Sequence, residues 1–215
     1  MKRSLGKEIP LFIIVLLPFL YLGYSWKDLP DQVPLHWNLN GEIDRWGNKS
    51  ELIFIPLLLP LLIYVIFLVV PKIDPKGKIK NMGNKYHNIK LILTVFMSFL
   101  ALFILYAAKH QSISNPNYLV LLIGILFVML GNYFKTIKPN YFIGIRTPWT
   151  LENEAVWKAT HKMGGILWFA GGLIIVIGSL ILNQKLNFRL LFIVTTVITI
   201  IPVVYSYLKF TKLPK

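Results

Sequence analysis

The chain has 215 residues, of which 55% are hydrophobic and only 15% charged, with no cysteine and a formal net charge of +14. That balance excludes an ordinary water-soluble domain, and the missing cysteines exclude a disulfide framework, a thiolate metal site and a cysteine nucleophile. The basic residues lie between apolar runs, so their excess suits membrane topology and attraction to the lipid bilayer, with no direct nucleic-acid contact expected.

Six stretches lack Asp, Glu, Lys, Arg and His: Ile9–Trp26, Leu52–Pro71, Leu91–Ala108, Gln111–Phe134, Met163–Gln184 and Leu190–Leu208. A hydrocarbon core of about 30 Å takes roughly 20 helical residues, so each stretch predicts one crossing and the chain an all-α membrane protein, a bundle of six transmembrane helices. The first stretch carries Pro10 and Pro18 but no small-residue cleavage site, and Tyr21, Tyr24 and Trp26 read as an interfacial belt, so it is expected to stay as a span. With the amino terminus assigned to the cytoplasm, seventeen Lys and Arg fall on that side and six on the other. The positive-inside rule then predicts a multi-pass cell-membrane protein with both termini cytoplasmic. Residues 1–71 are expected to form a two-span unit with an external loop at 27–51, and residues 72–215 a four-span unit with a cytoplasmic loop at 135–162.

The external loop holds Asp28, Asp31, Glu42, Asp44 and Glu51, five of the nine acidic residues. Leu29 to Trp37 contains Pro30 and Pro34 and reads as an extended entry, followed by Asn40-Gly41, a strong hairpin signal. A two-residue turn there would oppose Leu39 to Glu42, Trp37 to Asp44 and Leu35 to Trp46, with His36 and Arg45 on the other face. Asp28, Asp31, His36, Trp37, Glu42, Asp44 and Trp46 are the candidate ligand-binding residues of this loop. A solvated loop with aromatic anchors is the other reading of the same residues.

The second crossing contains Pro56 and Pro60 and is expected to loosen there. The lysine-rich loop from Lys72 to Lys90, with Pro75, Gly77 and Gly83, reads as a flexible lipid-facing link. In the fourth crossing Gly124 and Gly131 are seven apart; in the fifth, Gly164, Gly171 and Gly178 form one seven-residue series and Gly165, Gly172 and Ser179 a second. Small residues at that spacing let helix backbones approach, which predicts close packing of the fourth crossing on the fifth.

Between those two crossings stands Gly144-Ile145-Arg146-Thr147-Pro148-Trp149-Thr150-Leu151-Glu152-Asn153-Glu154-Ala155-Val156-Trp157. Thr147 is suited to cap a helix and Pro148 to begin it. Trp149, Val156, Trp157 and Thr160 would share one side, with Glu154 and Lys158 spaced for an ion pair. The expectation is a short cytoplasmic interfacial helix with tryptophans at headgroup level. Arg146, Thr147, Pro148, Trp149, Glu152 and Trp157 are candidates for contact with a signalling partner; a folding element that anchors the bundle is the alternative.

None of the six stretches has an ionisable residue in its interior, where pumps and transporters keep them, and no H-E-x-x-H, G-x-S-x-G or P-loop motif occurs. The four histidines are scattered over both predicted sides, and His36 with Asp31, Glu42 and Asp44 lacks the rest of a calcium loop. No enzyme activity, cofactor or metal is expected.

Two segments resemble the SdpI family of bacterial immunity proteins. Leu29-Pro30-x-x-Val33-Pro34-x-His36-Trp37-x-x-x-Gly41 is similar to the short domain that opens these proteins, and Gly144-Ile145-Arg146-Thr147-Pro148-Trp149-Thr150-Leu151 with Glu154, Val156 and Trp157 follows the family's signature. The resemblance implies a plasma-membrane protein that protects its cell from a secreted antimicrobial peptide toxin of the SdpC type. It also implies a receptor that holds a cytoplasmic repressor at the membrane when toxin is present. A small-molecule or lipid-handling membrane protein without a toxin partner is the other reading.

Overall fold

A computed structural model of the chain describes residues 5–38, 40–113 and 115–213. Its elements are helix α1 (Leu5–Ser25), strands β1 (Gln32–Trp37) and β2 (Ile43–Asn48), and helices α2 (Lys49–Ile73), α3 (Asn84–His110) and α4 (Asn117–Phe134). Helices α5 (Pro148–Glu152), α6 (Glu154–Ile181) and α7 (Gln184–Thr211) complete the chain. All but α5 are long and apolar enough to cross a membrane, so six membrane-length helices stand among the described residues, as the hydropathy predicts. The fourth begins at Asn117 and not near Gln111, because Gln111 takes a positive φ of 51° and turns the chain after α3.

The helices fall into two compact units. The first comprises residues 1–69 and 90–119. Leu11, Val15 and Tyr64 form one of its buried clusters, and Leu22, Leu29, Val33, Leu52, Leu105 and Ala108 a second, which seats the hairpin base on the ends of α1, α2 and α3. Helix α2 opens with a 3-10 turn at Lys49–Ile53 and widens to a π turn at Leu57–Leu61, around Pro60, where the missing N–H loosens the ladder. Asn48 caps this helix in a reciprocal box with Glu51, so Asn48-Lys49-Ser50 serves as a helix start.

The hairpin differs from its sequence reading. Asn38 N–H donates to the Glu42 carbonyl at 2.9 Å, and the Asn38 side chain accepts from the N–H groups of Asn40 and Glu42. With Gly41 at φ 77°, the turn is therefore closed by Asn38 and Glu42 as a three-residue loop, not a two-residue one. The register follows: Pro34 faces Trp46, His36 faces Arg45 and Trp37 faces Ile43, with irregularities on either side of His36. The expected partner of Glu42, Leu39, lies outside the described residues.

The second unit comprises residues 70–89 and 120–215. Here the two glycine series of α6 serve different neighbours. A Cβ on Gly165 would come within 2.8 Å of the Gly131 carbonyl oxygen, and one on Gly172 within 2.6 Å of Val128 N and 2.8 Å of the Gly124 carbonyl oxygen. That face packs backbone to backbone on α4, as the spacing predicts. Gly171 and Gly178 instead meet Val194, Ile198, Leu190 and Asn187 of α7, and Gly164 meets Pro202 and Ile145. The loop before α3 is also more ordered than its lysines suggest. Asp74, buried, accepts from Ile79 N–H at 2.7 Å and Lys76 N–H at 3.3 Å, and Ile79 and Met82 are buried behind it.

Replacing Gly172 by Leu should force α4 and α6 apart and cost about 1–3 kcal/mol, read as a lower unfolding temperature of the purified protein in detergent. Gly23, whose added Cβ would meet nothing within 4 Å, should accept Ala without loss.

Candidate functional site

The segment joining α4 to α6 is built around three buried side chains. Asn140, only 2% exposed, closes the turn after α4: its Oδ1 accepts from Phe142 and Ile143 N–H, and its Nδ2 donates to the carbonyls of Lys138 and Ile143. Trp157 donates from Nε1 to the Ile137 carbonyl at 2.8 Å and stacks on His161, ring centroids 4.0 Å apart. His161 accepts at Nε2 from Ile145 N–H at 2.9 Å, so its proton sits on Nδ1 and is donated to the Trp157 carbonyl one turn earlier. Gly144, at φ 111°, lies so close over the His161 ring that a side chain has no room.

The chain then enters α5. Thr147 is its N-cap and Pro148 its first residue, as the sequence predicts. The Thr147 hydroxyl accepts from Thr150 N–H while the Thr150 hydroxyl accepts from Thr147 N–H, and Thr147 Oγ1 lies 3.0 Å from Ser206 Oγ on α7. Trp149 packs on Tyr207 with ring centroids 5.0 Å apart. The two helices are thus tied by one hydroxyl pair and one aromatic pair with no charge, the former a kind of contact that holds helices in lipid at about 0.6 kcal/mol.

The expected continuous helix from Thr147 to Thr160 is broken. Asn153, in an extended conformation, ends α5 and caps α6, its Oδ1 accepting from Ala155 and Val156 N–H. After the break Trp157 is directed into the protein, where it is 0% exposed and no interfacial anchor. Glu154 and Lys158 do pair, at 2.8 Å. Arg146 is exposed and donates to the Tyr141 carbonyl at 2.6 Å, and Glu152 is exposed. Lys76 lies 5.4 Å above the Tyr141 ring and, hydrogen-bonded to its phenol, holds that group below the usual tyrosine range.

The residues nominated in the hairpin are brought together in pairs rather than as one anionic face. His36 Nδ1 sits 2.6 Å from Asp44 Oδ1, Lys49 2.9 Å from Asp31, Lys109 2.8 Å from Asp28, and Asn38 Nδ2 donates to Glu42 at 2.8 Å. Lys49 keeps the Asp31 carboxyl below the usual carboxylate range, chiefly through their hydrogen bond. Trp46 is 48% exposed, whereas the Trp37 indole N–H is buried with no acceptor among the described residues. Groups of three or more side chains suited to a metal ion are absent among the described residues.

Sequence reasoning missed one charged pair inside the membrane-length helices. Lys90 of α3, 4% exposed, is paired with Glu8 of α1, and Tyr64 of α2 donates to the same carboxylate at 3.0 Å. The signal was present in the single acidic residue of the amino-terminal segment and in the tyrosine of the second span, but hydropathy windows skip groups at the ends of runs. Asn140 and His161 were equally invisible, since nothing in their local spacing marks a buried hydrogen-bond hub.

These features define a predominantly helical, six-span membrane protein whose last three spans carry a hydrogen-bonded knot at one end. Residues 136–206, which hold that knot, match the SdpI/YfhL protein family, and residues 13–59, which hold the hairpin, match a domain of unknown function, DUF1648. The chain is 27% identical over 207 residues to the Immunity protein SdpI of Bacillus subtilis (strain 168), covering 96% of this chain and 97% of that protein. The second motif thus lies within the segment that matches the SdpI/YfhL family, and the first within the DUF1648 match. An uncharacterized protein of Archaeoglobus fulgidus is 28% identical over 144 residues, covering 57% of this chain and 79% of its own length. No solved structure matches.

Thr147→Val keeps the shape of the cap but removes its hydroxyl, and should cost about 0.5–2 kcal/mol, measured as thermal stability in detergent. Thr147→Ser, which can restore the box and the Ser206 contact, should recover most of the loss.

Proposed function

We propose that this chain is an immunity protein of the cell membrane that shields its host from a secreted killing peptide of the SdpC type. The observation that carries this reading is the likeness to Immunity protein SdpI, which runs through nearly all of both chains and not through one motif alone. The toxin contact is assigned to the hairpin, at Asp28, Asp31, His36, Trp37, Glu42, Asp44 and Trp46. Because each of the four carboxylates already has a partner, recognition rests on the exposed face of Trp46 and on the outer edges of a two-stranded sheet, which offer a peptide unpaired backbone groups, while Trp37, its indole N–H buried, supports the strand from within.

The same reading gives the Arg146 motif a signalling role, in which a cytoplasmic repressor meets Arg146, Trp149 and Glu152 on the turn shaped by Thr147 and Pro148. Trp157 acts from beneath, through its bond to Ile137. On this view both termini are cytoplasmic, and the three spans between hairpin and motif put them on opposite sides of the membrane.

Expression in a toxin-sensitive cell should confer survival, and Arg146→Ala should keep protein level and survival while abolishing toxin-induced expression from a repressor-controlled reporter. Continued killing by an SdpC-type peptide at full protein level would sink the immunity reading; a collapse of protein level on Arg146→Ala would make the motif a folding element. Sidedness has its own check, simplified by the absence of native cysteine. A membrane-impermeant maleimide applied to intact cells should label Asn40→Cys and leave Glu152→Cys unlabelled.

A further inference from the structure

An open concavity of about 380 Å³ lies in the second unit, lined by Lys78, Asn81, Lys138, Pro139 and Glu154. Its walls are held from behind on every side. Lys78 stands within the turn that buried Asp74 closes by accepting from Lys76 and Ile79 N–H, and Asn81 sits in the 3-10 turn Lys80–Met82 that buries Met82. Lys138 is flanked by Ile137, whose carbonyl takes the Trp157 indole proton, and its own carbonyl accepts from buried Asn140. Glu154, the one acid in the lining, is engaged by Lys158 on the next turn of α6. Neither Lys78 nor Lys138 has an acidic partner among the described ion pairs.

We propose that this concavity binds a phosphoryl group, and that its source is the headgroup of an anionic membrane phospholipid. Two ammonium groups on anchored backbones, with the Asn81 amide between them in sequence, offer donors around a space that would hold one phosphodiester. The single neighbouring carboxylate, Glu154, which would repel such a group, is offset by its pairing with Lys158 and by the nearby charge of Lys78. The place also fits: Lys138 lies four residues beyond the end of α4 and Glu154 is the first residue of α6, so the cradle stands where two membrane-length helices end. Headgroups lie at that depth, and juxtamembrane lysines hold anionic lipid there. This site is independent of the toxin and repressor reading, since it uses neither the hairpin nor Arg146.

The test uses the full chain in phosphatidylcholine nanodiscs containing phosphatidylglycerol, with lipid retained on detergent extraction counted by native mass spectrometry. Lys78→Gln with Lys138→Gln should weaken phosphatidylglycerol retention by roughly ten- to thirtyfold, while Lys78→Arg with Lys138→Arg retains it and Lys209→Gln with Lys212→Gln, on the carboxy-terminal segment, has little effect. If the Gln pair does not accumulate, the single Lys78→Gln variant reads the same loss at a few-fold. Inorganic phosphate titrated into phosphatidylcholine-only nanodiscs separates the sources. Saturable, Lys78-dependent phosphate binding without any Lys78-dependent lipid retention would keep the phosphoryl site but overturn the lipid assignment. Retention of both unchanged in the Gln variants, or an equal loss from the carboxy-terminal pair, would overturn the site itself.

Discussion

In hydrocarbon no hydrophobic force draws one helix to another, so the second unit depends on how closely α6 lets its neighbours approach. Glycine settles this on two faces at once. Gly165 and Gly172 bring the α6 backbone against that of α4 around Gly131 and Gly124, while Gly164, Gly171 and Gly178 receive side chains of α7 and, at Gly164, Ile145 of the loop before α5. Dispersion between touching backbones replaces the solvent drive that a soluble bundle would use. A helix with one such stripe would hold one partner; with two, α6 becomes the central member of a three-helix set.

That arrangement is completed at one end by the knot of Asn140, Thr147, Thr150, Trp157, His161 and Ser206. Each member satisfies backbone or hydroxyl groups that would be costly to leave bare where water is scarce. The segment from residue 135 to 147 has no helix or strand of its own. Six of its carbonyl and N–H groups are instead taken by Trp157 and His161 of α6 and by Asn140, so the irregular loop is held at several points. Arg146 is one of the exposed residues of this segment, with Lys135, Lys138 and Tyr141, and is held by one bond to the Tyr141 carbonyl. A fixed backbone carrying an exposed guanidinium is a better platform for recognition than a mobile one, because less order has to be imposed on binding.

The first unit uses charge where the second uses hydroxyls and glycine. Lys90, Glu8 and Tyr64 join three helices through one carboxylate, and Lys49 and Lys109 hold the hairpin's approach by pairing with Asp31 and Asp28. Lys90 with Glu8 is almost dry and its two charges depend on each other, since removing one strands the other away from water. The hairpin pairs are wet and contribute little to stability, yet with the His36 and Asn38 contacts they engage four of the five carboxylates of that loop. The Trp46 ring stays exposed there, together with Lys27 and Arg45.

The spans were legible in the sequence because a 30 Å apolar layer imposes a length that composition alone must satisfy. The glycine spacing, the Thr147-Pro148 helix start, the loosening at Pro60 and the Glu154–Lys158 pair were legible as well, each being a local rule about backbone or neighbouring turns. Long-range partners were not. Spacing showed that Gly164 and Gly165 lie on adjacent faces, but only packing decided that one meets α7 and the other α4. Trp157 looked like a headgroup anchor but, after the break at Asn153, is directed into the protein, and the Trp37–Asp44 pairing failed because the Asn38 side chain closed a longer turn than Asn40-Gly41 suggests. Periodicity reports which residues share a face; which face meets which neighbour is set by hydrogen bonds and contacts between residues far apart in the chain, and those exist only once the helices have met.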